Sequence, residues 1–251
     1  MPGLFRRAAF SRLLCLAISV SGTALLCSSP THAALTINGT RIIYESHKRS
    51  VSVIISNPSK RPFAVQTWIN TERDDTTTAV PFMPTPALFR LNAGKEQYVQ
   101  INQWPHTLPE DRESVFYFNV QEIPQSKSSD TGVLNIAMRT RIKLFYRPTS
   151  IKNPADTHLK QLQWAVKKMD GHYYLEAHNP SPYFISFASL ELRFSGQKEL
   201  PTNPAMAAPF SRQLYRLSEY KPTADTQVTF SSINDYGGVS RPLTVAITPA
   251  D

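Results

Sequence analysis

Hydrophobic and polar positions in this chain alternate in short runs, and no long stretch follows a helical period. Residues 51–55, 64–69, 98–101 and 114–120 are β-branched or aromatic stretches between polar turns. That pattern predicts strands. The turns at 57–62 and 92–95 carry Asn, Pro and Gly, which suit tight bends. The longest strand signal runs over 133–146 and stops at Arg147-Pro148. Residues 149–156 are polar and include Pro154, and proline fixes φ and cannot donate to a ladder, so the first unit closes there. A second series follows at 162–166, 173–177 and 184–187, with turns at 179–182 and 234–238 and a last strand over 243–247. Short strands without alternating helices predict antiparallel sandwiches, an all-β fold with domains at 34–150 and 151–251.

The first 33 residues stand apart. Arg6, Arg7 and Arg12 flank an apolar run over 13–26, and Thr31-His32-Ala33 follows. Positive, apolar and small-residue regions in that order make a secretory signal, too short for a membrane span. Cleavage is expected after Ala33, leaving Ala34 as the mature start. Cys27 offers a lipoprotein alternative, but Leu26 precedes it where a small residue is needed. Cys15 and Cys27 are the chain's two cysteines and both lie in this segment. The mature chain therefore has none, and its stability must come from hydrophobic cores rather than disulfides.

Charge and motifs narrow the function. The formal charge of +8 falls to +5 once Arg6, Arg7 and Arg12 leave with the signal, and no long basic run remains. Scattered basic residues argue against nucleic-acid binding. The sequence has no Gly-x-Ser-x-Gly elbow, no phosphate-cradling glycine loop and no thiol nucleophile in the mature chain. The histidines lie without metal-ligand spacing; His172 and His178, on one strand segment, do not make a zinc signature. No catalytic residue, metal or cofactor is assigned.

The informative segment is 131–148. Alternation puts Leu134, Ile136 and Met138 on one strand face, and Arg139, Arg141 and Lys143 on the other. The apolar trio either packs into its own core or faces a partner's groove, and periodicity does not choose between them. Burying three such side chains contributes roughly 1.5–3 kcal/mol each before ordering costs.

Several motifs, in order, resemble the periplasmic pilus chaperones, the PapD-like family of the chaperone-usher pathway. Thr40-Arg41-Ile42-Ile43-Tyr44 is similar to the family's opening strand. Residues 108–119 with Glu122-Ile123-Pro124 resemble its most recognisable motif, and 135–148 its long final strand of the first domain. Asn179-Pro180-Ser181-Pro182-Tyr183 and 233–238 match in the second domain. The resemblance implies two immunoglobulin-like sandwiches in an L or boomerang with a cleft between them, working in the periplasm. It implies that Arg41 and Lys143 anchor the C-terminal carboxylate of a pilus subunit, that Leu134, Ile136 and Met138 plug its groove by donor-strand complementation, and that Glu113, Arg147 and Asp235 form an interdomain ion network.

The implied partners are fimbrial subunits and an outer-membrane usher. Self-association of the free chaperone to hide its edge strand is left open. Thr85-Pro86 falls where the family often has a cis peptide, although Ala87 follows where a second proline is common. The short loop between Pro124 and Val133 resembles the subgroup serving rod-like pili. The rival class is an exported fimbrial structural subunit; such subunits usually carry a cysteine pair, which the mature chain lacks.

Overall fold

A computed structural model describes residues 35–123, 137–152, 155–201, 204–218, 220–221 and 223–247. The expected signal segment, its cleavage point, the loop after Pro124 and the candidate plugs Leu134 and Ile136 lie outside the described residues. The first nine strands are β1 (Thr36–Ile37), β2 (Arg41–Glu45), β3 (Ser50–Ser56), β4 (Phe63–Asn70), β5 (Phe82–Thr85), β6 (Leu88–Leu91), β7 (Glu96–Gln103), β8 (Ser114–Ile123) and β9 (Arg139–Arg147). They form two sheets, ordered β1-β3-β7-β5 and β2-β9-β8-β4-β6. A 3-10 helix, Ala155–Gln161, follows. Then come β10 (Gln163–Met169), β11 (His172–Asn179), β12 (Phe187–Phe194), β13 (Gln197–Glu199), β14 (Ser211–Leu217), β15 (Gln227–Ser232) and β16 (Leu243–Ala246). These make sheets ordered β10-β11-β14 and β13-β12-β15-β16.

Each pair of sheets closes on its own core. Tyr44, Ile55, Val65, Ile101, Phe118 and Leu144 are buried in the first, and Leu175, Tyr183, Leu192, Phe194, Val228 and Phe230 in the second. Alternation along the strands does the sorting, since successive side chains point to opposite faces. On β9, Ile142, Leu144 and Tyr146 face the core while Arg139, Arg141 and Lys143 face away. Each fully buried aliphatic side chain contributes about 1.5–3 kcal/mol relative to exposure.

The two domains use the same turn chemistry. Asn57-Pro58-Ser59 and Asn179-Pro180-Ser181 share one arrangement. The amide oxygen of each asparagine accepts from the backbone N–H and hydroxyl of the serine two residues on. Its Nδ2 donates to carbonyls across the end of the sandwich: Arg61 and Leu91 for Asn57, and Tyr183, Ala207 and Ala208 for Asn179. A buried asparagine thus satisfies backbone groups that no strand can reach.

Two expectations change. The strand expected over 184–187 begins at Phe187 and runs to Phe194; Ile185 makes only an isolated bridge to Ala207. The Pro182 carbonyl and the Phe184 N–H are instead bound to Glu113, which withdraws this stretch from the ladder. The polar stretch after Pro148 ends in the 3-10 helix, which seats Leu159 in the second core. The Thr85-Pro86 bond is cis.

Candidate functional site

The site begins with a strand that changes sheets. β1 pairs with β3, Thr36 to Ser56 and Ile37 to Ile55. Asn38 then ends that pairing: its N–H donates to the Ile54 carbonyl and its side-chain oxygen accepts the Ile54 N–H. After Gly39 and Thr40 the chain joins the other sheet, where β2 runs parallel to β9 from Arg41 opposite Lys143 to Glu45 opposite Arg147. β8 pairs with β9 antiparallel along its whole length, from Arg139 to Tyr146. From Arg139 to Ile142, therefore, β9 is paired on one side only among the described residues. An unpaired edge of this kind is a template for another strand. Met138, just before it, has its carbonyl bound by the Glu122 N–H and its side chain 52% exposed.

The open edge stops at two cations. Arg41 and Lys143 are register partners on neighbouring strands. Arg41 donates through Nη1 to the Ile233 carbonyl at 2.9 Å, lies 5.6 Å from the Phe145 ring centre, and has a buried Nε without a partner. Lys143 makes no ion pair among the described residues. Burial, and next to it the Arg41 charge, lowers its pKa; burial likewise lowers that of Arg41. Asp235 and Glu113 act against the shift at Arg41, and Glu72 against that at Lys143, but burial outweighs them and neither cation has an ion pair among the described residues. A bound carboxylate would relieve both, through charge-assisted hydrogen bonds.

Beside them lies a compensated ion cluster. Arg147 Nε donates to Glu113 Oε1 at 2.8 Å, and its two terminal nitrogens donate to the two carboxylate oxygens of Asp235 at 2.7 and 2.9 Å. The second oxygen of Glu113 accepts the Phe184 N–H at 2.9 Å. Burial raises the Glu113 pKa. Burial also opposes the Arg147 charge, but Asp235 and Glu113 outweigh it and the guanidinium is held protonated. Arg147 and the Phe184 N–H both favour the charged carboxylate and so oppose the upward shift at Glu113.

The structure thus brings Glu113, Arg147 and Asp235 together, joining a strand of the first sandwich to the turn after β15. That turn is itself fixed: Asn234 Oδ1 accepts the N–H groups of Tyr236 and Gly238. Gly237, at φ +83°, sits where a Cβ would lie 2.5 Å from Thr40 Oγ1. Only glycine allows that approach.

The outward face of β9 carries a third group that sequence reasoning did not single out. Arg139 lies over the Trp68 ring and Arg141 over the Tyr117 ring, with centroid distances of 5.0 and 3.8 Å. Both guanidinium groups reach Asp74, in the loop after β4. Arg139 donates to Asn119 Oδ1, and Arg141 to the Thr71 carbonyl at 2.6 Å. Hydrogen bonds from Arg139, and then Asn70, hold the Asp74 carboxyl down at about 2. Its polar loop carries no signature; only the three-dimensional meeting of β4, β8 and β9 shows the group.

A sheet edge unpaired on one side among the described residues, ending at two half-buried cations where two β-sandwiches meet, is the geometry of a binding protein with a template for a further strand. The comparisons specify which. Residues 34–152 match the family described as pili and flagellar-assembly chaperone, PapD N-terminal domain, and residues 157–243 match the pili assembly chaperone PapD, C-terminal domain. The chain belongs to the PapD family of pilus-assembly chaperones, which is not a class of enzymes. It is 39% identical over 226 residues to the probable fimbrial chaperone YadV of Escherichia coli (strain K12), covering 86% of this chain and 91% of that protein. It is 34% identical to chaperone protein PapD of Escherichia coli, covering 88% and 90%. The YadV crystal structure superposes with a TM-score of 0.72 over 85% of this chain and all of that one, at 34% identity. The SafB chaperone of Salmonella enterica, solved with the SafA pilin, shares the fold with a TM-score of 0.73 at 23% identity. These likenesses place the chain with the chaperones and against the structural-subunit alternative.

Among the described residues, no group of three His, Cys, Asp or Glu side chains could hold a metal, and no helix is long and apolar enough to cross a membrane.

Proposed function

We propose that this protein is a periplasmic chaperone that completes the fold of fimbrial subunits by lending them a strand, and then passes them to an outer-membrane usher. The observation that carries the reading is the single-sided pairing of β9 up to Lys143, with Arg41 opposite and no ion pair on either among the described residues. A subunit whose last strand lies on that edge makes a backbone ladder, and its terminal carboxylate meets the two cations. Met138, with Leu134 and Ile136 before it, fills the groove of the missing strand. The Glu113–Arg147–Asp235 cluster holds the two sandwiches at the angle that keeps the anchor open. The chain reaches the periplasm by way of the signal segment, cut after Ala33; mass analysis of the exported protein showing an intact N-terminus would remove that step.

The deciding experiment co-expresses the chaperone with its neighbouring fimbrial subunits and recovers complexes from the periplasm. Arg41→Ala and Lys143→Ala should melt close to the parent yet yield no stable complex, and Ile136→Asp should behave likewise. Anchor variants that form complexes at parental yield would refute the assignment.

A further inference from the structure

The anchor alone leaves a problem of register. Arg139, Arg141 and Lys143 put a cation on the same face of β9 at every second residue, about 6.6–6.8 Å apart. A guest strand slipped by one residue presents the wrong side chains, but one slipped by two presents the same face again. The apolar plugs therefore discriminate poorly against a two-residue slip. Only the point at which the chain end is captured separates the registers, and three neighbouring cations compete for it.

We propose that Asp74 sets the register by taking Arg139 and Arg141 out of that competition, so that a subunit's terminal carboxylate is read at Lys143 alone. The geometry supports this from both sides. Arg139 and Arg141 are drawn across the outer face, over Trp68 and Tyr117, toward the loop after β4 and away from the open edge. Both carry an acid in place: Arg139 is hydrogen-bonded to Asp74, and Arg141 Nε is 3.7 Å from it. Lys143 has no acid within ion-pairing distance among the described residues, and Glu72 acts on it only from further off. A carboxylate arriving beside Arg141 would face a neutralised cation and the charge of Asp74, whereas at Lys143 it meets two unpaired cations. This rests on the anchor reading above. With its end at Lys143 and its body along residues 139–142, the guest runs parallel to β9.

The test uses synthetic peptides of a subunit's C-terminal strand, full-length and lacking the last two residues, each as free acid and as amide. Each peptide carries a cysteine in equilibrium disulfide exchange with Thr140→Cys, present in the parent and in each variant, which pins the register that the plugs leave free and puts the end of the shortened peptide beside Arg141. For the parent, the shortened acid should bind about tenfold or more weaker than the full-length acid, and no better than its own amide. Asp74→Asn and Asp74→Gly remove the charge and tolerate the φ of 59° at this exposed position. In both, the gap between full-length and shortened acids should close to about threefold, and the recovery should vanish with the shortened amide. Unchanged peptide ratios in both variants overturn the inference while leaving the anchor intact. If full-length acid and amide bind the parent alike, the anchor reading itself fails, and the inference with it.

Discussion

Removing Arg147 tests the ion cluster most directly. The Glu113 side chain is 2% exposed and so shut off from bulk solvent, whereas Arg147 at 15% touches it and Asp235 at 29% can turn toward water. Arg147→Ala leaves Glu113 with one remaining donor, the Phe184 N–H. Stranding a buried charge in this way costs about 3–5 kcal/mol, most of it the desolvation of the orphaned carboxylate rather than the worth of the pair. Lost packing of the guanidinium on Tyr183, 5.2 Å from the ring centre, adds to it. Urea denaturation followed by tryptophan fluorescence should show this loss at neutral pH.

The same origin dictates how the loss depends on pH. Burial already raises the Glu113 pKa, and removing Arg147 raises it further, because the charge that opposed burial has gone. A group whose folded pKa lies above its unfolded value stabilises fully below the unfolded pKa, and that contribution is lost as pH rises through the folded one. The deficit of Arg147→Ala should therefore shrink as the solution is acidified from neutrality toward the unfolded value of 4.5. Pairing Arg147→Ala with Glu113→Gln should recover part of the deficit at neutral pH. A loss below about 1 kcal/mol, the range of exposed ion pairs, or a deficit independent of pH, would refute the account.

Two further outcomes follow from other parts of the structure. The Lys143 pKa is lowered from 10.5 by burial and by Arg41, and a bound carboxylate raises it again. Affinity for a subunit's C-terminal peptide should fall as pH climbs through the lowered value, with proton uptake on binding in that window; calorimetry in buffers of different ionisation heat reads it, and no proton linkage would remove Lys143 from the anchor. Asn179→Ala should cost about 1–3 kcal/mol, because the Tyr183 carbonyl loses its Nδ2 donor and Ser181 its Oδ1 acceptor, while Ala207 and Ala208 keep the Ile185 N–H and the Ser211 hydroxyl. A thermal melt within a degree of the parent would show that other groups satisfy them.

Strand placement was legible wherever side-chain alternation met clear turn residues, as at β3, β4, β7, β8 and β11. The stretch 184–187 misled because Phe184 belongs to an interdomain junction, its N–H going to Glu113 and its ring packing on Phe145, while Ile185 and Phe187 are buried in the second core. β1, β5, β6 and β13–β15 were not foreseen, since short or irregular runs carry too little periodicity to separate from loops. Arg41 and Lys143 could be named only through motif likeness; a cation on a strand carries no sign of whether an acid waits beside it. Asp74 was out of reach altogether, because its partners lie 65 and 67 positions away on β9 and meet it only through the order of strands in the sheet.

The sheet change at Asn38–Thr40 has a last consequence. Beyond Lys143 the border of β9 is already occupied by the backbone of β2, so the available slot is blind at that end. A polypeptide laid along it cannot continue past the cations; it must stop there or buckle outward. On the proposed reading of the anchor, a few residues appended to a guest's C-terminus would collide with β2 even if every plug fitted its groove.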